Sequence, residues 1–330
     1  PEGADARLRD ALGVSPIVAR LLASRGVEAP DAAEAFLGAR LADHLRSPML
    51  FTQMARAADR LAAALSRGER VGIYGDYDVD GMSGSAVLVR FLRALGHEPA
   101  LFIPNRMVDG YGLGEAGIRR LAEAGTRLMI TVDCGGSAHR QIEFAAGLGI
   151  ETIVCDHHQV SGTPLPAYAV LNPIEPDAGF PFRGLCGAGV AFYFAMGTRM
   201  RLRDAGATNL PDLRRSLDLV TLGTIADVVP LVEENRVLVR AGLRELLQTG
   251  APGLVALKQV SNVTSVSAST VGFRLAPRLN AAGRLSDATR GVELLTTDDP
   301  QRAAQLAREL DEENAARRAL EAEMLEDALG

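Results

Sequence analysis

Little in this sequence could serve as a disulfide framework. Its three cysteines, Cys134, Cys155 and Cys186, are odd in number and far apart, which fits neither paired bridges nor a C-x-x-C zinc site. They read as reduced, buried thiols of a cytosolic protein. No apolar run approaches the roughly 20 residues that a membrane helix needs. The N-terminus lacks the basic-then-apolar pattern of an export signal, so a cytoplasmic location is expected and the sequon Asn262-Val263-Thr264 is a chance match. The chain opens on Pro1 rather than Met, as a processed or excised chain would. Also missing is any surplus of positive charge. The net charge is −6, against the basic footprint usual in a nucleic-acid binder. Carboxylates neutralised at a metal site would weaken that objection, and the remaining basic residues could still line one groove. No internal repeat and no low-complexity tract occurs.

What is present is a globular balance, 47% hydrophobic and 23% charged, in a chain long enough for one large domain or two ordinary ones. Residues 1–68 read as a helical cap, with apolar residues at helical spacing over 4–12, 16–24 and 31–37. An amphipathic helix follows over 52–66, its stripe Met54, Ala58, Leu61 and Leu65. From Arg70 the pattern changes to short apolar runs alternating with helical stretches. Strands are expected at 71–74, 100–103, 128–132, 152–155 and 169–171, and helices at 82–95, 115–124 and 137–148. This is an α/β core over 69–235, a mainly parallel sheet flanked by helices, whose strands are buried on both faces. Helices are expected again at 190–204, 213–222 and 237–248, with a helical extension over 236–299. The last stretch, 300–330, reads as one long charged helix. Its stripe, Ala303, Leu306, Leu310, Leu320 and Met324, is thin and interrupted, as in a connector to a further domain.

Three expected strands run into acids: Asp76-Tyr-Asp78-Val-Asp80-Gly81 after the first, Asp133 after the third, and Asp156-His157-His158 after the fourth. An open parallel sheet places its ligands beyond the carboxyl ends of its strands. Asp227, in Gly223-Thr-Ile-Ala-Asp227-Val-Val-Pro230, can join them from outside the sheet. So many carboxylates in one cleft repel unless cations relieve them. Oxygen ligands with one or two imidazoles suit Mn²⁺, with Mg²⁺ as the alternative, and a shared carboxylate suits two ions. Taken singly, each acid could be an ordinary helix N-cap; three strand ends with a His-His pair are harder to explain that way. Two imitations fail. Asp76-x-Asp78-x-Asp80-Gly81 opens like an EF-hand loop, but Val87 stands where the closing Glu belongs. Gly112-x-Gly114-x-x-Gly117 resembles a dinucleotide fingerprint, but a polar loop separates it from its strand.

The four segments Asp76–Gly81, Thr131-Val-Asp133-Cys-Gly135, Asp156–His158 and Thr224–Pro230 resemble, in order, the motifs of the DHH phosphoesterase family. Ile73–Gly81, Ile103-Pro-Asn-Arg106, Gly110-Tyr-Gly-Leu113, Pro277–Arg284 and the lead-in ending Gly68-Glu-Arg70 are similar to its RecJ-type branch, so that the resemblance covers nearly the whole chain. It implies a 5′→3′ exonuclease that degrades single-stranded DNA to mononucleotides in repair and recombination, usually with Mn²⁺. Implied partners are single-stranded DNA with a 5′ end, a single-strand-binding protein and a helicase. It also implies a DHHA1-type domain and an OB-type fold after the connector; neither is in these 330 residues. Gly136 stands where an aliphatic residue is usual, a change expected to be tolerated.

By resemblance and chemistry together, Asp78, Asp80, Asp133, His157 and Asp227 are the expected metal ligands, with Asp133 bridging and Asp76 a weaker ligand or close neighbour. Asp156 is expected to orient a ligand, and His158 to contact the scissile phosphate. No protein nucleophile is visible or needed. Arg106 and Arg278, with Asn280 and Arg284 beside them, are candidate phosphate contacts. Tyr111 could stack on a base. Gly187-Ala-Gly189, opening a helix, could present N–H groups to phosphate or simply pack closely. Competing readings are a DHH phosphodiesterase of short oligonucleotides or cyclic dinucleotides, a pyrophosphatase or polyphosphatase of the superfamily, and an inactive DHH-fold replication scaffold. The intact motif acids weigh against the last.

Overall fold

The computed structural model describes residues 3–329 except 107, 161 and 286, and omits the side chains of 284, 285, 325 and 327–329. Five strands, β1 (Val71–Gly75), β2 (Ala100–Phe102), β3 (Leu128–Val132), β4 (Glu151–Cys155) and β5 (Ala169–Leu171), form one sheet in the order β2-β1-β3-β4-β5. Every pairing is parallel. The apolar runs are continuous because alternate residues serve two cores. Ile73, Ile130 and Ile153 face one core, together with helices Met54–Ser66, Val79–Ala94, Gly187–Asp204 and Leu217–Ala226. Tyr74, Met129 and Val154 face the other, under helices Glu115–Glu123 and His139–Gly147.

Helix starts differ from expectation. The helix expected from Met82 begins at Val79 because the Asp78 side chain caps it, accepting from the N–H groups of Asp80 at 2.9 Å and Gly81 at 3.0 Å. The acidic motif is therefore also the first helical turn. The helices expected from Val190 and Val237 likewise begin early, at Gly187 and Glu233.

The N-terminal helices close a small core of their own around Leu8, Ala19, Leu22 and Ala33. They are fastened by Arg236 and Arg240, which donate to the carbonyls of Phe36, Leu37 and Gly38, and Arg46 pairs with Glu233 and Glu234. Residues 252–296 fold into helices Pro252–Val260, Ala276–Leu285 and Thr289–Thr296, with a π-helical turn at Val271–Leu275. Of the stripe on the last helix, Pro300–Leu329, Ala303, Leu306 and Leu310 are buried, whereas Leu320 and Met324 are exposed. Among the described residues no helix is long and apolar enough to cross a membrane.

Candidate metal centre

Parallel register puts the acids in a row. Asp76, Asp133 and Asp156 each follow the last residue of a strand, and each amide donates to the neighbouring strand: Asp76 to Val132 O at 3.0 Å, Asp133 to Cys155 O at 2.9 Å, and Asp156 to Leu171 O at 3.1 Å. Asp133 has φ 62°, a left-handed conformation that Asp tolerates better than most residues and that clusters at functional sites. Crowding forces small residues around it. A Cβ on Gly187 would fall 2.6 Å from Asp133 Cβ, and one on Gly81 would fall 2.5 Å from Asp76 O.

Three overlapping sets of ligand atoms result, each within 4.8 Å: Asp76, Asp78 and Asp133; Asp80, His157 and Asp227; and Asp133, His157 and His158, which links the first two. Asp133 Oδ1 joins them, 3.0 Å from His157 Nε2, which lies 3.6 Å from Asp227 Oδ2 and 3.7 Å from Asp80 Oδ2. Asp76 Oδ1, Asp133 Oδ1 and His157 Nε2 are all buried without a hydrogen-bond partner among the described residues. Orphaned polar atoms are costly. Three such atoms on adjoining ligand sets, all oxygen or imidazole, fit two hard or borderline divalent cations.

The electrostatics agree. Burial, then neighbouring Asp78, pushes Asp76 up to about 7. Burial, then Asp80 and Asp78, does the same to Asp227, also to about 7. Burial raises Asp80, although His157 opposes it. Burial and then Asp80 raise Asp133 well above the carboxylate range. A cluster with so few internal counter-charges calls for external cations.

Asp156 behaves differently. Burial pushes its pKa up, but the hydrogen bond from His158 and the N–H groups of Gly136 and His158 outweigh that and leave it lowered. Its Oδ1 takes His158 Nδ1 at 2.8 Å and the His157 amide at 2.7 Å, and its Oδ2 takes the Gly136 amide at 2.7 Å. It thus orients His158 directly, and His157 through the backbone. That bond raises His158 to about 9. A Cβ on Gly136 would sit 2.7 Å from Asp156 Oδ2, so the missing aliphatic side chain leaves room for this carboxylate.

The other candidates divide. Tyr111 stands at the rim, its hydroxyl 3.5 Å from His158 Nε2. Arg106 is exposed, 5.7 Å over the ring of Tyr77. Arg278 is turned to Asp311 at 2.7 Å and to the Arg274 carbonyl at 2.6 Å, so its guanidinium braces the last helix. Asn280 Oδ1 accepts the Val79 amide at 3.2 Å, holding the acidic loop. The side chain of Arg284 lies outside the described residues. The Gly187 and Ala188 amides clamp Asp80, at 2.5 and 2.9 Å, and are not free for phosphate. Sequence reasoning missed Asn172, which donates to His158 O at 2.9 Å, and Asn235, which ties Gly184 O to Pro230 O. A buried Asn beside a motif is the only signal that marks them.

Comparison with known proteins follows the same lines. The DHH family, N-terminal domain, matches residues 70–224. The single-stranded-DNA-specific exonuclease RecJ of Bacillus subtilis is 39% identical over 98% of this chain and 40% of its own length. The chain spans about half the length of the curated relatives it matches. The crystal structure of Thermus thermophilus RecJ with Mn²⁺ superposes with TM-score 0.83 at 35% identity, covering 99% of this chain and 46% of that one. A crystal structure of exonuclease RecJ bound to manganese superposes with TM-score 0.77 at 39% identity, over 86% of this chain and 70% of that one. With its motif acids in register on the same parallel sheet, this chain belongs to the DHH family and, within it, to the RecJ proteins.

Proposed function

We propose that the chain is the catalytic part of a 5′→3′ exonuclease that hydrolyses single-stranded DNA to mononucleotides, acting in DNA repair and recombination. The observation that carries this is the pair of ligand sets joined by Asp133 Oδ1, with three buried polar atoms left unpartnered. Asp76, Asp78 and Asp133 would hold one ion and Asp80, His157 and Asp227 the other; Mn²⁺ and Mg²⁺ are the ions with which RecJ of Thermus thermophilus was crystallised. Such ions supply Lewis acidity, acidifying water and neutralising charge on the phosphoryl group. Asp156 holds His158 with Nε2 toward the rim, where it can donate to the scissile phosphate. The Gly187 and Ala188 amides fix the rotamer of Asp80. Arg106 and Tyr111 are the rim residues best placed to meet a strand. The 5′ polarity and the partners (a single-strand-binding protein and a helicase) rest on the likeness to RecJ, and the cytoplasmic location on three buried, unbridged cysteines.

The test is digestion of long single-stranded DNA, labelled at one end or the other, with Mn²⁺, beside Asp133→Ala. Early release of mononucleotide from the 5′ label, lost in the variant, is the expected result. Turnover of dinucleotides or a small phosphodiester without digestion of long DNA would replace this reading with the short-substrate phosphodiesterase. No turnover and no Mn²⁺ binding would replace it with an inactive scaffold.

A further inference from the structure

We infer that Tyr74 is a positioning residue, its buried hydroxyl setting the loop that holds Tyr111 against His158. This rests on the exonuclease reading above. Tyr74 lies on β1 and is fully buried. Its hydroxyl donates to the Gly112 carbonyl at 3.1 Å and accepts from the Gly114 amide at 3.0 Å, so one atom fastens two points of segment 110–114. The ring has no room to shift. A Cβ on Gly117 would fall 2.5 Å from Tyr74 Cε2 and 2.3 Å from Phe102 Cε1, and the Tyr74 and Phe102 rings lie 5.1 Å apart.

The loop needs such a fastening. Gly110 and Gly112 have φ of 82° and 77°, and glycine's conformational freedom makes that geometry costly to hold. Tyr111 between them is 66% exposed. Its ring contacts are loose: 3.5 Å from the hydroxyl to His158 Nε2, and an edge contact with Tyr77 at 6.2 Å between centroids. The fixed point nearest to it is the Gly112 carbonyl, one residue on. A strand arriving at the site therefore meets a Tyr111 already ordered from the sheet beneath.

Tyr74→Phe keeps the ring and removes the hydroxyl. With metal-loaded protein and a 5′-phosphorylated oligothymidylate, the KM should rise by about 3- to 10-fold, the worth of one or two hydrogen bonds. The kcat and Mn²⁺ affinity should stay within about twofold. Tyr111→Ala should raise KM too, and Tyr74→Phe/Tyr111→Ala should be no worse than Tyr111→Ala alone. Additive effects, or a fall in kcat at unchanged KM, would overturn the inference. Hydrogen exchange separates its failure from that of the exonuclease reading, since it needs no cleavage. The Gly114 amide should be protected in the unaltered protein and segment 110–114 should exchange faster in Tyr74→Phe; fast exchange already in the unaltered protein, or no change in the variant, would refute the clamp.

Discussion

The two ends of one sheet handle charge in opposite ways. At the amino end, around β4, Arg60 bridges Glu69 and Glu151, both at 2.6 Å, and Arg67 reaches Glu69 at 3.1 Å. Those charges line a cleft of about 690 Å³ with Arg127 and Tyr168, and Glu69 is lowered because its arginines outweigh the cost of burial. At the carboxyl end, Asp76, Asp80 and Asp133 are buried with no arginine or lysine paired to them among the described residues. A fold that only needed stability would balance both ends. Leaving one unbalanced costs folding energy and creates a place where cations bind, the mark of a functional site. The cleft at the amino end is therefore not the better candidate.

The sharpest break in this contrast is Asp133→Asn. Removing the joining carboxylate should lower exonuclease turnover on the order of 10³-fold or more if the ions do the chemistry. In metal-free buffer the same variant should melt higher, by roughly 1–2 °C for about 1 kcal/mol in a chain of this size, because a buried carboxyl that must take up a proton to fold is replaced by a neutral amide. Thermal melts and label release on one preparation check both signs; a metal-free protein destabilised by the change would show that Asp133 is paired after all.

Next in size is the effect of pH on the metal-free protein. Burial and the neighbouring carboxylates push Asp76 and Asp227 up to about 7 in the fold, against about 4 for a free aspartate. A raised folded pKa means that the native state holds protons the unfolded chain has released between about pH 4 and 7. Stability therefore rises as pH falls through 7 and is lowest above it. After chelation, the melting temperature should climb from pH 8 to pH 6, and saturating Mn²⁺ should flatten or reverse that slope. A metal-free protein most stable at pH 8 would contradict the unbalanced end.

How much of this was legible beforehand follows from the range of the interactions. The strands were readable because burial on both faces leaves unbroken runs such as Leu128–Val132. The convergence of Asp76, Asp133 and Asp156 was readable because parallel register carries every strand end to one edge. The start at Val79 was not, because Asp78 serves as cap and motif together. Arg278 and Asn280 stand in one short segment, yet their partners Asp311 and Val79 lie far away in sequence, and no local pattern shows which way such side chains turn. Nor does any spacing rule reveal that the Gly187 and Ala188 amides grip Asp80.

That blind spot yields a middle-sized prediction. Arg278→Ala should cost about 1–2 kcal/mol of stability through its lost bridge to Asp311 and change KM for DNA less than twofold, whereas Arg106→Ala should raise KM several-fold with little loss of stability. Paired denaturation and steady-state kinetics decide it; the opposite pattern would return Arg278 to the phosphate.

The smallest expected effect on activity tests the balanced end. The Arg60 side chain is 10% exposed and serves two glutamates, so Arg60→Ala strands Glu69 and Glu151 at the rim of a half-open cleft, where solvent screens much of their charge. The loss should be about 1–2 kcal/mol in urea unfolding, with kcat and KM on single-stranded DNA unchanged and Mn²⁺ affinity intact. Glu69, no longer held down by Arg60, should then titrate higher, so the deficit against the unaltered protein shrinks as pH is lowered below the ordinary carboxylate range. A fall in turnover at full Mn²⁺ occupancy would mean that the two ends of the sheet are coupled, and that charge balance at one end is a condition for imbalance at the other.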